Sequence, residues 1–302
     1  MKRIVFWNGG GKGDIHVSRS YVKYIASKFV DSDVLYIHHH GPELLLDIPG
    51  LQYSNDWSVV DHVRKNGKNN RNVVIDGTAY FHTWYGVSPE YNGCNIGTLH
   101  SLFKSHTSII SCPLPDVGDM IPKIDYSQLD TRLIDDQLTS RKKILICNNL
   151  PMSQQSHYSG SLDGLIDKLS VKCPKSTLFV TNEYGGLEKD NIVSVSDLTT
   201  GRKYSTDVRE DNASPFNLNH ISYLSTKCDV IIGRSSGPDT FCIVEENVMS
   251  DKDYFTICPK PLAESFFSGK QNNVERKWRE HNLQIPYNEN VYAEKIAACL
   301  NQ

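Results

Sequence analysis

Short apolar runs alternate with longer amphipathic stretches along most of the chain, and each run is followed by a turn of small or polar residues. Arg3-Ile-Val-Phe-Trp7 is the first run and predicts a buried parallel strand. The glycine-rich turn Asn8 to Asp14 follows it. Ile15 to Phe29 then reads as a helix, with apolar side chains at 15, 17, 21, 22, 25, 26 and 29. Val34 to Ile37 predicts a second strand, Pro42 to Asp47 a helix, Asn72 to Asp76 a third strand and Asn95 to Phe103 another helix. Strands and helices alternating at this spacing predict a parallel sheet with helical crossovers.

Residues 111 to 141 interrupt the rhythm with Cys112-Pro-Leu-Pro, Pro122 and a charged stretch. It restarts at Lys142 to Cys147, a strand with a basic lead-in. Leu162 to Val171 is then a helix, Ser176 to Thr181 and Asn191 to Ser194 are strands, and Leu218 to Lys227 is a helix. Cys228 to Gly233 and Tyr254 to Cys258 predict strands, and Thr240 to Val248 a continuing helix. Val291 to Leu300 is an amphipathic helix. The expected organisation is an acceptor-side domain over 1–125, a connector over 126–141, a second α/β domain over 142–290 and a C-terminal helix over 291–302. Two Rossmann-like domains place a ligand between them, at the C-terminal ends of the strands.

The 302 residues suffice for two ordinary domains, and 39% hydrophobic with 22% charged residues is a globular composition. A formal charge of −3 gives no general attraction to nucleic acid or anionic membrane. No apolar run is long enough to span a bilayer, and Ile4 to Trp7 is too short for a signal peptide. The eight cysteines stand singly with no CxxC pair, which reads as reduced thiols in a cytoplasmic protein, without a zinc site.

Two segments carry candidate chemistry. Asp229-Val-Ile-Ile-Gly-Arg-Ser-Ser-Gly-Pro238 is a strand running into a small-residue turn and a helix, a geometry that lets phosphates approach the backbone. Ser235 and Ser236 offer hydroxyls, and Arg234 either neutralises charge or pairs with an acid. Two more strand ends, Cys147-Asn-Asn149 and Thr181-Asn-Glu183, point the same way, with Asn182 and Glu183 as candidates for a ribose. The other segment is Gly9-Gly-Gly-Lys-Gly-Asp14, which satisfies neither GxxxxGK(S/T) nor GxGxxG. There Asp14 either accepts a proton from an attacking hydroxyl or caps the following helix.

Gly11-Lys-Gly-Asp-Ile-His-Val-Ser-Arg-Ser20, together with Asp229 to Pro238, resembles the ADP-heptose heptosyltransferases and related GT-B glycosyltransferases. The wording of Gly13 to Arg19 and Ile221 to Pro238 is nearest to a branch found in viruses, phages and some bacteria. The resemblance implies a GT-B fold, two Rossmann-like domains with parallel sheets facing across a cleft. It implies Asp14 as catalytic base, and Ser236, Gly237 and Pro238 as the seat of the donor phosphates. Lys12, Gly13, His16 and Arg19 are acceptor or phosphate candidates, and Arg19, Arg202 and Lys203 candidate cations for the leaving diphosphate. Ser18-Arg19-Ser20 stands where the family usually has a proline, so the family's acceptor and sugar do not carry over to this chain.

Two DxD triplets, Asp31 to Asp33 and Asp251 to Asp253, are weak metal signals, and no metal or other cofactor is expected beside the nucleotide-sugar co-substrate. His38-His-His40 alternates faces, so three ligands cannot converge. His62 to Arg71 is basic and free of acids, either a solvated loop or a phosphate-tracking surface. Tyr80 to Tyr85 is aromatic, either core or a stacking surface for a base or sugar. Arg276, Lys277 and Arg279 around Trp278 form another small basic patch. The function expected is transfer of a sugar to a glycan or to a hydroxymethylated base in phage DNA. The alternatives are a nucleotide-sugar epimerase and a non-catalytic nucleotide-sugar binder.

Overall fold

The computed structural model describes the chain except residues 66–71, 85–94, 150–159, 183, 187, 199–214, 235, 259–265, 268–273, 285–286 and 301–302. Two compact units result. One holds Met1–Gln128 and takes back Glu264–Glu275; the other holds Leu129–Ala263 and Arg276–Gln302.

The first unit is built on strands β1 (Arg3–Trp7), β2 (Asp33–Ile37), β3 (Leu51–Ser54), β4 (Asn72–Ile75) and β5 (Thr78–His82), in the order β3-β2-β1-β5-β4. The first four in that order are parallel; β4 runs antiparallel to β5. Helices α1 (Lys12–Lys28), α2 (Ser58–Lys65) and α3 (Ile96–Ser108) accompany the sheet. Central β1 buries Ile4, Val5 and Phe6 completely, as expected of a strand covered on both faces. The α1 helix is buried from Ile15 through Val22, so its polar residues must find partners inside. Arg19 does so by reaching Asp47 and the Leu44 carbonyl, and Ser20 by donating to the Ile121 carbonyl at 2.7 Å.

The expectation of Asn72 to Asp76 as the third parallel strand is corrected. Leu51–Ser54 is the third strand, and Asn72–Ile75 is the outer arm of a hairpin. Asp76 and Gly77, both at positive φ (49° and 80°), form the two-residue turn that reverses the chain. Pro42–Leu45 is a single 3-10 turn rather than a longer helix.

In the second unit, α4 (Arg132–Asp135) leads to β6 (Lys143–Ile146). There follow α5 (Asp163–Lys172), β7 (Thr177–Val180), β8 (Ile192–Ser194), α6 (Pro215–Lys227) and β9 (Val230–Gly233). The chain continues through α7 (Gly237–Phe241), α8 (Glu245–Val248), β10 (Asp253–Cys258), β11 (Arg279–Gln284) and α9 (Glu289–Leu300). The sheet order is β11-β10-β9-β6-β7-β8 and every described pair is parallel. Numbered within the unit, this is the 3-2-1-4-5-6 order of a doubly wound nucleotide-binding domain. The long helix expected over 240–248 is broken into α7 and α8. The C-terminal helix packs into this unit's core, where Tyr292, Ala293, Ile296 and Leu300 join Leu165, Ile166 and Leu169 of α5.

Candidate functional site

In a doubly wound sheet the chain leaves one central strand forward and its neighbour backward, which opens a crevice at their C-terminal ends. In the first unit that switch point lies between β1 and β5, bounded by residues 8–14 and by Thr83 and Trp84. In the second it lies between β6 and β9, bounded by Cys147 to Asn149 and by the bend after Gly233.

Asp14 is the third residue of α1, and its carboxylate accepts the Gly11 amide at 2.9 Å. Capping and availability therefore coexist: Oδ2 holds the helix start while the half-buried carboxylate stays at the switch point. Burial pushes the Asp14 carboxyl above its usual range, and the Gly11 amide opposes part of that rise. The turn is tight. A Cβ at Gly10 would stand 2.6 Å from Asp14 Oδ2, 2.9 Å from Asn8 Oδ1 and 3.1 Å from Trp84 Cδ1, so only glycine fits.

A buried hydrogen-bond chain fixes this turn from below. The Gly10 amide donates to Asn8 Oδ1 at 2.7 Å, and Asn8 Nδ2 donates to Thr83 Oγ1 at 2.9 Å. Thr83 Oγ1 lies 2.5 Å from the Tyr36 hydroxyl, which lies 3.1 Å from Ser18 Oγ. Ser18 gives its own proton to the Ile15 carbonyl at 2.8 Å, so the three hydroxyls all point their protons toward α1. Burial raises the Tyr36 phenol to about 12. None of Asn8, Ser18, Tyr36 or Thr83 stood out as a functional residue in the sequence, because the links join positions up to 75 residues apart.

The three histidines after β2 take separate posts. Buried His38 accepts the His40 amide on Nδ1 at 3.1 Å, and burial together with its neighbours His40 and His39 lowers its pKa to about 3. His40 donates from Nε2 to the Gly10 carbonyl at 3.0 Å, which fixes its tautomer and ties it to the turn. His39 accepts the Trp57 indole N–H at 3.1 Å.

The remaining first-unit candidates divide by burial. Lys12 and Gly13 are half-buried in the first turn of α1, next to the switch point. His16 and Arg19 are fully buried, and Arg19 belongs to an interior ion pair with Asp47. As a phosphate-binding cation Arg19 is therefore set aside: its charge is engaged inside the unit.

In the second unit, Arg234 is also buried, and its guanidinium donates to the carbonyls of Asn149 (2.9 Å), Asn148 (2.6 Å) and Gly160. It thus ties the end of β6 at Asn148 and Asn149 to Gly160. Asn148 Oδ1 accepts the Asn182 amide at 2.8 Å, and Thr181 Oγ1 donates to Asn149 Oδ1 at 2.5 Å, which joins the ends of β6 and β7. Ser236 caps α7 by accepting the Asp239 amide at 3.4 Å, with Gly237 and Pro238 opening the helix. Asp239 had no sequence signal beyond an acid in a first helical turn. It is buried, accepts the Tyr254 hydroxyl, and lies so close over Gly233 that a Cβ there would meet Oδ1 at 1.7 Å. Glu183, Arg202, Lys203 and Ser235 lie outside the described residues, as do 66–71 of the basic loop.

Both DxD triplets sit at strand starts, the edge opposite the switch points. Asp33 pairs with Arg3 at 2.8 Å, while Asp251 and Asp253 hold Arg279. The patch around Trp278 is likewise engaged: Arg276 meets Glu280 at 3.2 Å, and Trp278 is buried against Tyr254. Among the described residues, Asp253, His281 and Cys299 are the grouped potential metal ligands, and Asp253 is held there by Arg279 and His281. No described helix is long and apolar enough to cross a membrane.

No family model matches the chain, and no curated protein matches it in sequence. Among solved structures, a glycosyl transferase family 9 protein from Veillonella parvula is similar over 98% of this chain and 91% of its own, with a TM-score of 0.52 at 11% identity. The E. coli heptosyltransferase WaaC with ADP is similar over 98% of this chain and 99% of its own, with a TM-score of 0.52 at 7% identity. At such identities the likeness is one of fold, and the fold is GT-B: mixed α/β, with two Rossmann-like domains whose sheets are parallel except for the outer strand β4.

Proposed function

We propose that this chain is a glycosyltransferase that moves a sugar from a nucleoside diphosphate sugar to an acceptor hydroxyl, with Asp14 as the base. The observation that carries the reading is the Asp14 carboxylate, half-buried at a switch point, oriented by the Gly11 amide and raised in pKa by burial. The fold likeness and the 3-2-1-4-5-6 sheet of the second unit support the nucleotide half.

In this reading the acceptor O–H gives its proton to Asp14 as its oxygen attacks the anomeric carbon. The bond from that carbon to the diphosphate oxygen breaks, and the charge left on the nucleoside diphosphate is met by backbone dipoles at Ser236 and Gly237. Asn182, Ser236, Gly237 and Pro238 serve the donor, and Lys12 and Gly13 the acceptor. Arg234 acts as a positioning residue, holding the carbonyls of Asn148, Asn149 and Gly160.

The base must be ionised to accept a proton, so turnover falls as pH drops through the Asp14 pKa, at a midpoint above 3.8. Asp14→Asn is expected to lower turnover by about 10²- to 10⁴-fold while the thermal shift given by a nucleoside diphosphate persists. Undiminished turnover in that variant sinks the assignment.

A further inference from the structure

The strand-start edge of the second sheet gathers three metal-ligating side chains that the proposed reaction does not use. Asp253 opens β10, His281 is the third residue of β11, and Cys299 lies in the last turn of α9. In the parallel pairing Asp253 stands opposite Arg279, and Phe255 opposite His281. Alternation along the strands therefore puts these four side chains on one face. The same face receives α9, and Cys299 packs there against the core that holds Phe255. One ligand atom from each of Asp253, His281 and Cys299 lies within 4.8 Å of the other two. No CxxC pair announces this group, because each member comes from a different element.

The two strand residues are already oriented. His281 stacks on Phe255 at 4.4 Å between ring centroids, and its Nε2 stands 2.6 Å from Asp253 Oδ1. Arg279 donates to both Asp253 oxygens, at 3.0 and 2.8 Å, and also holds the exposed Asp251. A ligating carboxylate is commonly fixed by such an outer hydrogen bond. The nearby cations leave room for another. Two carboxylates face one guanidinium, and Lys295, a turn before Cys299, is exposed and screened by water. A carboxylate, an imidazole and a thiol make a mixed oxygen, nitrogen and sulfur set that suits zinc, whereas magnesium and calcium take oxygens.

We propose that Asp253, His281 and Cys299 bind one zinc ion, which fastens the C-terminal helix to the starts of β10 and β11. The ion enters where the imidazole and the carboxylate share a proton. That proton moves to the other ring nitrogen, and the thiol releases its own to solvent. Ligands on a tetrahedral zinc stand about 3.3 to 3.6 Å apart, so the imidazole and carboxylate part by about 0.7 Å and the thiol draws in. Water completes the fourth position, reached past the partly exposed His281 and Cys299. At the edge opposite the switch points the ion is structural. The site is independent of the glycosyltransferase reading.

The test uses the full chain, stripped with EDTA, freed of the chelator and titrated with cobalt(II) and zinc. One equivalent of cobalt is expected to give a thiolate charge-transfer band in the near ultraviolet and the visible bands of a tetrahedral centre, which zinc then abolishes. Zinc should also raise the melting temperature, since the unfolded chain does not bring the three ligands together. Cys299→Ser should remove the charge-transfer band. His281→Asn should weaken cobalt binding about a hundredfold or more, beyond the loss typical of an outer-shell partner. Where a variant fails to fold, the parent chain decides: zinc should shield Cys299 from iodoacetamide, read by peptide mass spectrometry. The proposal is overturned if cobalt gives no thiolate band at one equivalent, or if the band survives Cys299→Ser. It is equally overturned if zinc leaves either the melting temperature or the alkylation of Cys299 unchanged.

Discussion

At the switch point of the first sheet the side chains are large and able to exchange protons or stack, namely Asp14, His40, Trp57 and Trp84. At that of the second they are small or immobilised, namely Gly233, Ser236, Gly237 and the Arg234-held asparagines. The same topology therefore supports two kinds of surface. One exposes functional groups on a tightly braced turn. The other strips side chains away so that backbone is presented. A site that activates a hydroxyl needs the former, and a seat for a diphosphate needs the latter.

Substitutions at the glycines test that contrast most severely. In the second unit, Gly233→Ala puts a methyl group into the buried Asp239 carboxylate, and neither partner has room to yield. A loss of about 3 kcal/mol or more is expected by denaturant titration, with hydrogen exchange rising in β9 and β10. Pairing Gly233→Ala with Asp239→Ala should return part of it. Full stability in the single variant would show that the bend is not crowded.

The first unit should respond in activity before stability. Gly10→Ala displaces Asp14 and Trp84 and is expected to lower turnover about 10²-fold, with a smaller change in melting temperature. Gly11→Ala meets its nearest neighbour, Asp14 Oδ2, only at 3.7 Å and should be nearly silent. Equal effects from the two would detach the turn's crowding from its function.

The smallest effect expected is on acid stability. Folded His38 has a pKa of about 3 against 6.5 for an ordinary histidine, so on acidification the unfolded chain takes a proton that the folded one refuses. Stability from this group is complete above pH 6.5 and declines as pH falls from there toward 3. His38→Asn, which keeps an acceptor for the His40 amide, should flatten the decline in melting temperature between pH 7 and 4. An unchanged slope would show that the decline comes from other groups.

Much of this is legible in the sequence. β1, its glycine turn and α1 were plain because an apolar run, small residues and a 3.6-residue period succeed one another. β9 and the 236–238 bend were plain for the same reason. β11 was not, since Arg279-Glu-His-Asn is too polar to announce a strand and gains its place by pairing with β10. The Asp76-Gly77 hairpin was missed although its turn residues were in view, because the run before it matched a parallel strand equally well. Arg19 shows a related limit: a lone cation on a helix does not reveal a carboxylate 28 positions away. Pattern shows where a side chain sits on its element, and long-range pairing decides what it meets.

The line of hydroxyls from Thr83 through Tyr36 to Ser18 has one more consequence. Every proton in it is already promised to the next acceptor, ending on the Ile15 carbonyl, so no member can stand in for a missing carboxylate. On the proposed reading, a variant lacking Asp14 has no internal understudy, and whatever restores its turnover must arrive from solution, as a small diffusible base such as formate or azide.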